Sequence, residues 1–136
     1  MPKFSKRSIN ILDGVDVHLR VLFNTVIDFR DCTILEGFRG KEKQDKYFSE
    51  GFSKVQWPNG KHNKNPSLAV DVAPYFPGRG VSLNKYEVVE FGHYVLGIRD
   101  CIRLTNKIRW GGDWDKDWKS LTDNEFLDAF HWEVVY

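Results

Sequence analysis

The chain has 136 residues, of which 41% are hydrophobic and 15% aromatic, so it can bury one core of ordinary domain size and is not expected to be disordered. Its formal net charge of +1 gives no general case for binding nucleic acid. No run of about 18 apolar residues predicts a membrane span, and the basic N-terminal segment has no apolar stretch of signal-peptide length.

The first half of the chain is predicted to contain two helices, a strand and a loop. Apolar residues at steps of three and four favour a helix over 8–28, although Gly14 weakens the pattern. The partly β-branched segment 32–38 indicates a strand, and the polar segment 41–50 indicates a helix. Segment 57–67 is dense in Pro, Asn, Gly and Ser, which is typical of a loop.

The second half begins with a strand and the longest helix. Segment 68–73 indicates a buried strand that Pro74 and Pro77 are expected to end. Segment 84–103 indicates a helix with Asn84 as its N-cap. The core contacts predicted for this helix are Tyr86, Val89, Leu96, Cys101 and Ile102.

The C-terminal part is predicted to contain short strands at 107–110 and 131–135, with a short helix at 122–128 between them. Strands and helices are mixed without a regular βαβ alternation. This favours an α+β fold, with a small antiparallel sheet flanked by helices, in a single domain over residues 1–136.

The two cysteines, Cys32 and Cys101, show no metal-binding spacing. Both lie in partly apolar surroundings, which favours buried free thiols. The sequence leaves a disulfide between them open.

Two residues around the predicted strand at 68–73 are candidates for chemistry. Asp71 lies between apolar neighbours, where a carboxylate is costly to bury unless it is paired or bound to a metal. Taken alone, an exposed edge position or a pair with arginine is the more common explanation. His62 lies in the preceding loop, which can fold its imidazole next to Asp71, and the two together form a reasonable zinc pair.

A third candidate, His131, begins the last predicted strand, and Asp128 precedes it by three residues. One local segment can then supply a metal ligand and a catalytic base, because zinc lowers the pKa of bound water to about 7 and a carboxylate can accept the proton. Taken singly, a packed histidine and a surface acid are more common. Of the other histidines, His18 is expected to face water and His93 to pack in the fold.

The combination is far more specific than its parts. The segments H-N-K-N-P-S-L-A-V-D at 62–71 and D-A-F-H-W-E at 128–133 resemble the zinc peptidase family of D-Ala-D-Ala carboxypeptidases, vancomycin-resistance dipeptidases and phage L-alanyl-D-glutamate endopeptidases. Segments 35–45 and 108–115 are also similar to that family, and the small phage endolysins are the most similar members. The resemblance implies a Hedgehog/D,D-peptidase-like fold.

The resemblance also implies the metal site. His62, Asp71 and His131 match the ligand positions and would hold Zn²⁺ with one position left for water, while Asp128 matches the catalytic base. Eight residues separate His62 from Asp71, where the commonest family spacing has six, so the loop is longer here. The base is an aspartate, where carboxypeptidase and dipeptidase members often have glutamate.

Two further residues follow from the resemblance near the early strand. Arg39 matches an arginine that polarises the scissile carbonyl or holds substrate in some members. Gln44 lies near it in sequence and is expected to contribute to the substrate rim.

The activity implied is that of a zinc-dependent L-alanyl-D-glutamate endopeptidase, which cuts the peptidoglycan stem peptide as a phage endolysin in host lysis. The enzyme would be a monomer with no nucleic-acid partner and no membrane insertion. It would be made in the host cytoplasm and would reach the cell wall from the periplasm after holin-mediated release.

Two alternatives stay open. One is a D-Ala-D-Ala carboxypeptidase. The other is a non-catalytic binding module of the same fold, in which the tryptophans Trp110, Trp114 and Trp118 would hold a ligand. Such a module has no need of Asp128, so a complete set of ligands and base favours the enzyme.

Overall fold

A computed structural model describes residues 1–113 and 128–136. Within those ranges the chain forms an α+β fold, as predicted. The elements in chain order are α1 (Lys6–Leu12), α2 (Val17–Val26), β1 (Cys32–Glu36), α3 (Lys41–Ser49), β2 (Ala69–Phe76), β3 (Gly80–Val81), α4 (Lys85–Cys101), β4 (Ile108–Trp110) and β5 (His131–Val134). The helix predicted at 122–128 lies outside the described residues except for Asp128.

The strands form one antiparallel sheet in the order β1-β2-β5-β4, and the short β3 pairs with the far end of β2. Because side chains alternate along a strand, each strand presents one row to the helices and one row to the opposite face. The row that faces the helices forms the core with α2 and α4, and it includes Ile34, Val70, Val72, Ile108, Trp110, Trp132 and Val134. The alternate row, which contains Asp71 and His131, lies on the opposite face.

The first predicted helix is divided into α1 and α2. The break falls at Gly14, and the chain there pairs with the segment before β2, because the Asp16 N–H donates to the Ser67 carbonyl at 2.8 Å and the Ser67 N–H donates to the Gly14 carbonyl at 2.9 Å. The Asp16 side chain then caps α2 by accepting from the His18 N–H at 2.9 Å. A single helix over 8–28 was therefore a wrong prediction, since tertiary pairing outweighs the apolar periodicity.

Strand β2 also departs from the prediction, because it runs through Pro74 to Phe76. Proline removes a donor but leaves its carbonyl, and the Pro74 carbonyl accepts from the Ser82 N–H at 2.9 Å. Beyond it, Tyr75 and Phe76 pair with β3 in a hairpin. The proline is thus accommodated inside the strand, which it does not end.

Helix α4 begins after the predicted N-cap Asn84, whose side chain accepts from the N–H groups of Tyr86 and Glu87. Its buried face differs from the prediction: Leu96 is buried as expected, whereas Tyr86 is 82% exposed and Cys101 is exposed. The residues of α4 that are buried are Val88, Phe91, Gly92, Val95 and Leu96. None of the helices in the described part of the chain is long and apolar enough to cross a membrane.

The cysteines are both free thiols in the described structure. Cys32 is buried on β1, and burial raises its pKa to about 12, so it stays a neutral thiol. Cys101 is exposed, which corrects the expectation that both would be buried.

Candidate metal centre

The register between β2 and β5 brings two of the predicted ligands together. Asp71 and His131 are direct cross-strand partners, so their side chains leave the sheet on the same face. On the other side of Asp71, the partner on β1 is Glu36, which reaches this position because the pairing shifts between Ile34 and Glu36. A bulge of this kind re-aims a side chain, and here it places a second acid beside Asp71.

His62 reaches the same place from the loop before β2, where residues Lys61–Asn63 form a short 3₁₀ turn. The turn is fixed to the end of β1, because the Arg39 N–H donates to the His62 carbonyl at 2.8 Å. The His62 ring is buried, and its Nδ1 lies 2.7 Å from the Gly37 carbonyl oxygen. A carbonyl can only accept, so Nδ1 carries the proton and Nε2 presents a lone pair to the cluster.

The three predicted ligands converge. His62 Nε2 lies 3.3 Å from His131 Nδ1 and 3.4 Å from Asp71 Oδ1, and His131 Nδ1 lies 3.2 Å from Asp71 Oδ1. Atoms that share a tetrahedral zinc at about 2.0–2.2 Å lie about 3.3–3.5 Å apart, so this near-equilateral triangle fits three corners of such a site. Among the described residues, these three form the group of acids and histidines able to hold a metal ion.

Electrostatics at the cluster favour a cation. Burial raises the pKa of Asp71, but hydrogen bonds to His131 and His62 outweigh it and hold the pKa well below its usual range. Burial lowers the pKa of His131, but the hydrogen bonds to Asp71 and Glu133 outweigh it and raise the pKa to about 9. Without a metal, the carboxylates of Asp71 and Glu133 therefore keep a proton on His131, and this proton supplies the positive charge that a metal ion would otherwise provide.

Glu133 is a part of the site that sequence reasoning missed. It lies two residues after His131 on β5, so both side chains share one face of the strand. Its Oε1 lies 2.9 Å from His131 Nε2, and the residue is only 6% exposed. The spacing His-x-Glu within a predicted strand was the signal that could have identified it.

The predicted base, Asp128, lies on the helical turn 128–130 that leads directly into β5 and is partly buried. The turn is anchored one residue later, because the buried Trp110 indole Nε1–H donates to the Ala129 carbonyl at 2.7 Å. This segment carries Asp128 to the edge of the strand that begins with His131. Its role as base remains a prediction.

Arg39 is engaged by other protein groups. Its Nε donates to Glu36 Oε1 at 2.7 Å, its Nη1 donates to Gln44 Oε1 at 3.0 Å, and its guanidinium lies 4.6 Å from the centre of the Tyr47 ring. Only 11% of the side chain is exposed. Glu36 neutralises much of the charge of Arg39. The backbone of Arg39 supports the turn that carries His62. Direct polarisation of a substrate carbonyl by Arg39 stays a prediction.

Gln44 is 1% exposed, which does not support the predicted place in a substrate rim. Its amide nitrogen donates to Ser53 Oγ at 2.9 Å and to the Val55 carbonyl at 2.6 Å. Its amide oxygen accepts from Arg39 and from Asn63 Nδ2, the latter at 3.1 Å. The residue therefore joins α3 to the loop and to the turn of His62.

The tryptophans predicted to hold a ligand in the alternative binding module are only partly described. Trp110 is 1% exposed and stacks on Trp132, so it belongs to the core and cannot contact a ligand there. Trp114 and Trp118 lie outside the described residues. His93 packs edge-on against Trp110 at 5.0 Å between ring centres, as expected, whereas His18 is partly buried beside Asp16.

Comparison with known proteins identifies a matching family and a solved structure of similar fold. The model of a family described as phage L-alanyl-D-glutamate peptidase matches residues 1–135. Among solved structures, the chain is similar to the crystal structure of the L-Ala D-Glu endopeptidase ChiX of Serratia marcescens, with a TM-score of 0.69 and 21% identity, covering 98% of this chain and 90% of that chain. At this identity the likeness shows the fold, which is the peptidase-like fold predicted. No curated protein sequence matches significantly.

Proposed function

The chain belongs to the phage L-alanyl-D-glutamate peptidase family, and from this premise we propose that it is a zinc-dependent endopeptidase that cleaves the L-alanyl-D-glutamate bond of the peptidoglycan stem peptide. The observation that carries the proposal is the convergence of His62, Asp71 and His131 with edges of 3.2–3.4 Å. Two imidazoles and one carboxylate are a donor set that zinc accepts in open catalytic sites.

The donor set fits zinc in chemistry as well as in spacing. His62 would offer Nε2, because its Nδ1–H is held by the Gly37 carbonyl. His131 would offer Nδ1, and Asp71 would offer a carboxylate oxygen that stays ionised at neutral pH. When bound, zinc supplies Lewis acidity, which lowers the pKa of a water molecule and polarises a carbonyl group.

The proton transfers are assigned to Asp128. Its carboxylate would accept a proton from the attacking water and would then return it to the amine that leaves when the peptide bond breaks. The position of Asp128 on the turn before β5, three residues from His131, supports this assignment. Arg39 is proposed to act on the substrate carbonyl only when substrate competes with Glu36 for its guanidinium.

The biological setting is proposed from the family. A phage enzyme that cuts this bond would act as an endolysin in host lysis. The chain, as one catalytic domain over residues 1–136, would work as a monomer, made in the host cytoplasm and released through a holin to the periplasmic side of the wall.

Purified muropeptides provide the test. Mass spectrometry should show two products: glycan that still carries L-alanine, and a free peptide whose first residue is D-glutamate. A D-Ala-D-Ala carboxypeptidase would release only the terminal D-alanine. Metal analysis of the same preparation should give about one zinc per chain. Treatment with EDTA should abolish cleavage, and added zinc should restore it; cleavage that persists in a metal-free preparation would refute zinc dependence.

A further inference from the structure

Glu133 occupies a special position on the polar face of the sheet. It is a buried carboxylate, and one oxygen, Oε1, lies 2.9 Å from His131 Nε2. The other oxygen, Oε2, lies 3.0 Å from Arg109 Nε, 2.9 Å from Arg109 Nη2 and 3.7 Å from Lys61 Nζ. The two oxygens thus have different partners: Oε1 contacts His131, and Oε2 is held by the cationic side chains of Arg109 and Lys61.

This arrangement determines how the His131 ring is presented. Imidazole has two nitrogens, and a carboxylate that accepts a hydrogen bond from one of them leaves the other with a lone pair. With Glu133 accepting from Nε2–H, it is Nδ1 that points to Asp71 and His62. The other tautomer would direct an N–H, and a flipped ring a C–H, at the place where a metal binds.

Glu133 is itself fixed from two directions. Arg109 is its cross-strand partner on β4, so the sheet register sets their contact. Lys61 comes from the turn that carries His62, and its Nζ also bonds the Val134 carbonyl. A single carboxylate therefore connects β4 and β5 to the loop that supplies the other imidazole.

We infer that Glu133 is a positioning residue, which holds the His131 ring with Nδ1 as the metal-binding atom. The inference rests on the proposed zinc site and adds to it the group that prepares His131 for the ion. Carboxylates that accept from the distal nitrogen of a ligating histidine commonly fix its tautomer and raise its basicity.

The structure offers a matched control on the same face of the sheet. Glu36 is also a largely buried carboxylate held by one arginine and one lysine, with Nε of Arg39 at 2.7 Å and Nζ of Lys43 at 2.6 Å. Its described contacts are to cations and not to a histidine. Replacing Glu36 removes a comparable charge near the site but leaves the contact between Glu133 and the His131 ring in place.

The experiment measures the zinc dissociation constant of the full chain by competition with a chromophoric chelator at pH 7. Replacing the carboxylate in Glu133→Ala should weaken zinc binding about 10–100-fold, and Glu133→Gln should weaken it less, because its amide oxygen can still accept from Nε2–H. Glu36→Gln should stay within about threefold of the wild type, since it leaves the contact to His131 intact. Equal losses in Glu36→Gln and Glu133→Ala would overturn the inference, because charge alone would then explain them.

A second measurement covers the case in which Glu133→Ala does not fold. Nitrogen-15 spectra of the zinc-loaded wild type should show His131 protonated on Nε2. That ring proton should exchange slowly with water, and Glu133→Gln should make the exchange faster. Protonation on Nδ1 would overturn the inference. If the wild type binds zinc and cleaves muropeptides while Glu133→Ala binds zinc equally well, the inference alone fails; a wild type that binds no zinc overturns the proposed function and the inference with it.

Discussion

Asp71 Oδ1 and His131 Nδ1 face each other across adjacent strands at 3.2 Å, as direct partners in the antiparallel pairing of β2 with β5. The sheet itself thus sets the spacing of two proposed ligand atoms, and only His62 has to be brought in by a loop. A ligand pair built on strands is held more rigidly than one built on loops, which is the condition for a preorganised metal site.

Removing the charge of Asp71 with a side chain of the same size should abolish tight zinc binding. Asp71→Asn keeps an oxygen acceptor but loses the anion, so we expect zinc affinity to fall by more than about 100-fold, since even outer-shell changes cost about 10–100-fold. Titration calorimetry would measure this. Asp45→Asn is the matched control, because Asp45 is an exposed acid on α3 paired with Lys41 at 2.7 Å. Unchanged affinity in Asp71→Asn would remove Asp71 from the ligand set.

Replacing the proposed base should separate binding from catalysis. Asp128→Asn retains size but cannot accept a proton, and we expect kcat to fall by about 10²–10⁴-fold, the usual contribution of a positioned acid or base. Zinc content should stay near that of the wild type, because Asp128 is not among the three converging ligands. Single-turnover cleavage of a purified muropeptide, with metal analysis of the same sample, tests both parts. Near-full activity would show that another group moves the proton.

The metal-free protein should be most stable at mildly acidic pH. The pKa of His131 is raised from 6.5 to about 9, so its contribution to stability is complete below about 6.5 and is lost as the pH rises toward 9. Burial raises the pKa of Glu133, but the hydrogen bond to His131 outweighs it and lowers the pKa from 4.5 to about 2, so this contribution is complete above 4.5 and is lost toward 2. Stability should therefore peak between about 4.5 and 6.5.

Thermal unfolding in EDTA at several pH values measures this dependence. The melting temperature should fall between about pH 6.5 and 8.5, and His131→Gln should flatten that limb because it removes the titrating group. Saturating zinc should also reduce the fall, since a ligand to the metal does not hold the proton. A melting temperature of the EDTA-treated wild type that rises through this range would contradict the charge arrangement described for the cluster.

The sequence indicated the three proposed ligands but not the residues that surround and orient them. His62, Asp71 and His131 were identified because the residues at their spacing resemble a family motif, and the structure brings them together. Glu133 was missed, because a single acid in a short predicted strand does not by itself indicate contact with a ligand. Its contact depends on the strand period of two and on burial by Lys61 and Arg109, which only the three-dimensional pairing shows.

The burial of Gln44 was not predicted, for a related reason. A glutamine in a polar helix is normally exposed, and nothing local in α3 indicates burial. The amide is buried because the loop at 53–55 and the turn of His62 fold over it and use all its hydrogen-bonding groups. Likewise, the first helix is divided because the chain near Gly14 pairs with Ser67, about fifty residues away. The helical periodicity of a local segment gives no information about such a distant contact.

Gln44 should therefore affect stability more than substrate binding. Gln44→Ala leaves partners on Asn63, Arg39 and Val55 without their bonds, and we expect the free energy of unfolding to fall by about 2–4 kcal/mol. Gln56→Ala is the control, because Gln56 is exposed and the change should cost less than about 0.5 kcal/mol. Chemical denaturation gives both values. A folded, equally stable Gln44→Ala with a raised KM would instead support the predicted contribution of Gln44 to the substrate rim.

Two glycines lie close against the ring of Trp110, and one of them offers a test of the core beside the site. A methyl group added at Gly92 would lie 2.1 Å from Trp110 Cζ2, and one added at Gly112 would lie 2.2 Å from the same atom. The ring cannot move aside easily, because it stacks on Trp132 and its Nε1–H bonds the Ala129 carbonyl. Gly92→Ala should therefore lower the free energy of unfolding by about 1–3 kcal/mol or more.

Helix α4 also contains a glycine with open space around it, Gly97, which serves as the control for Gly92. A methyl group added at Gly97 meets no atom within 4 Å, so Gly97→Ala should raise the free energy of unfolding by about 0.5–1 kcal/mol through the better helix propensity of alanine. Because Trp110 anchors the turn that carries Asp128, Gly92→Ala should also reduce kcat, and Gly97→Ala should not. Denaturation curves and muropeptide cleavage by the two variants, side by side, would check both expectations. Equal behaviour of the two variants would show that the close packing of Gly92 on Trp110 does not constrain the site.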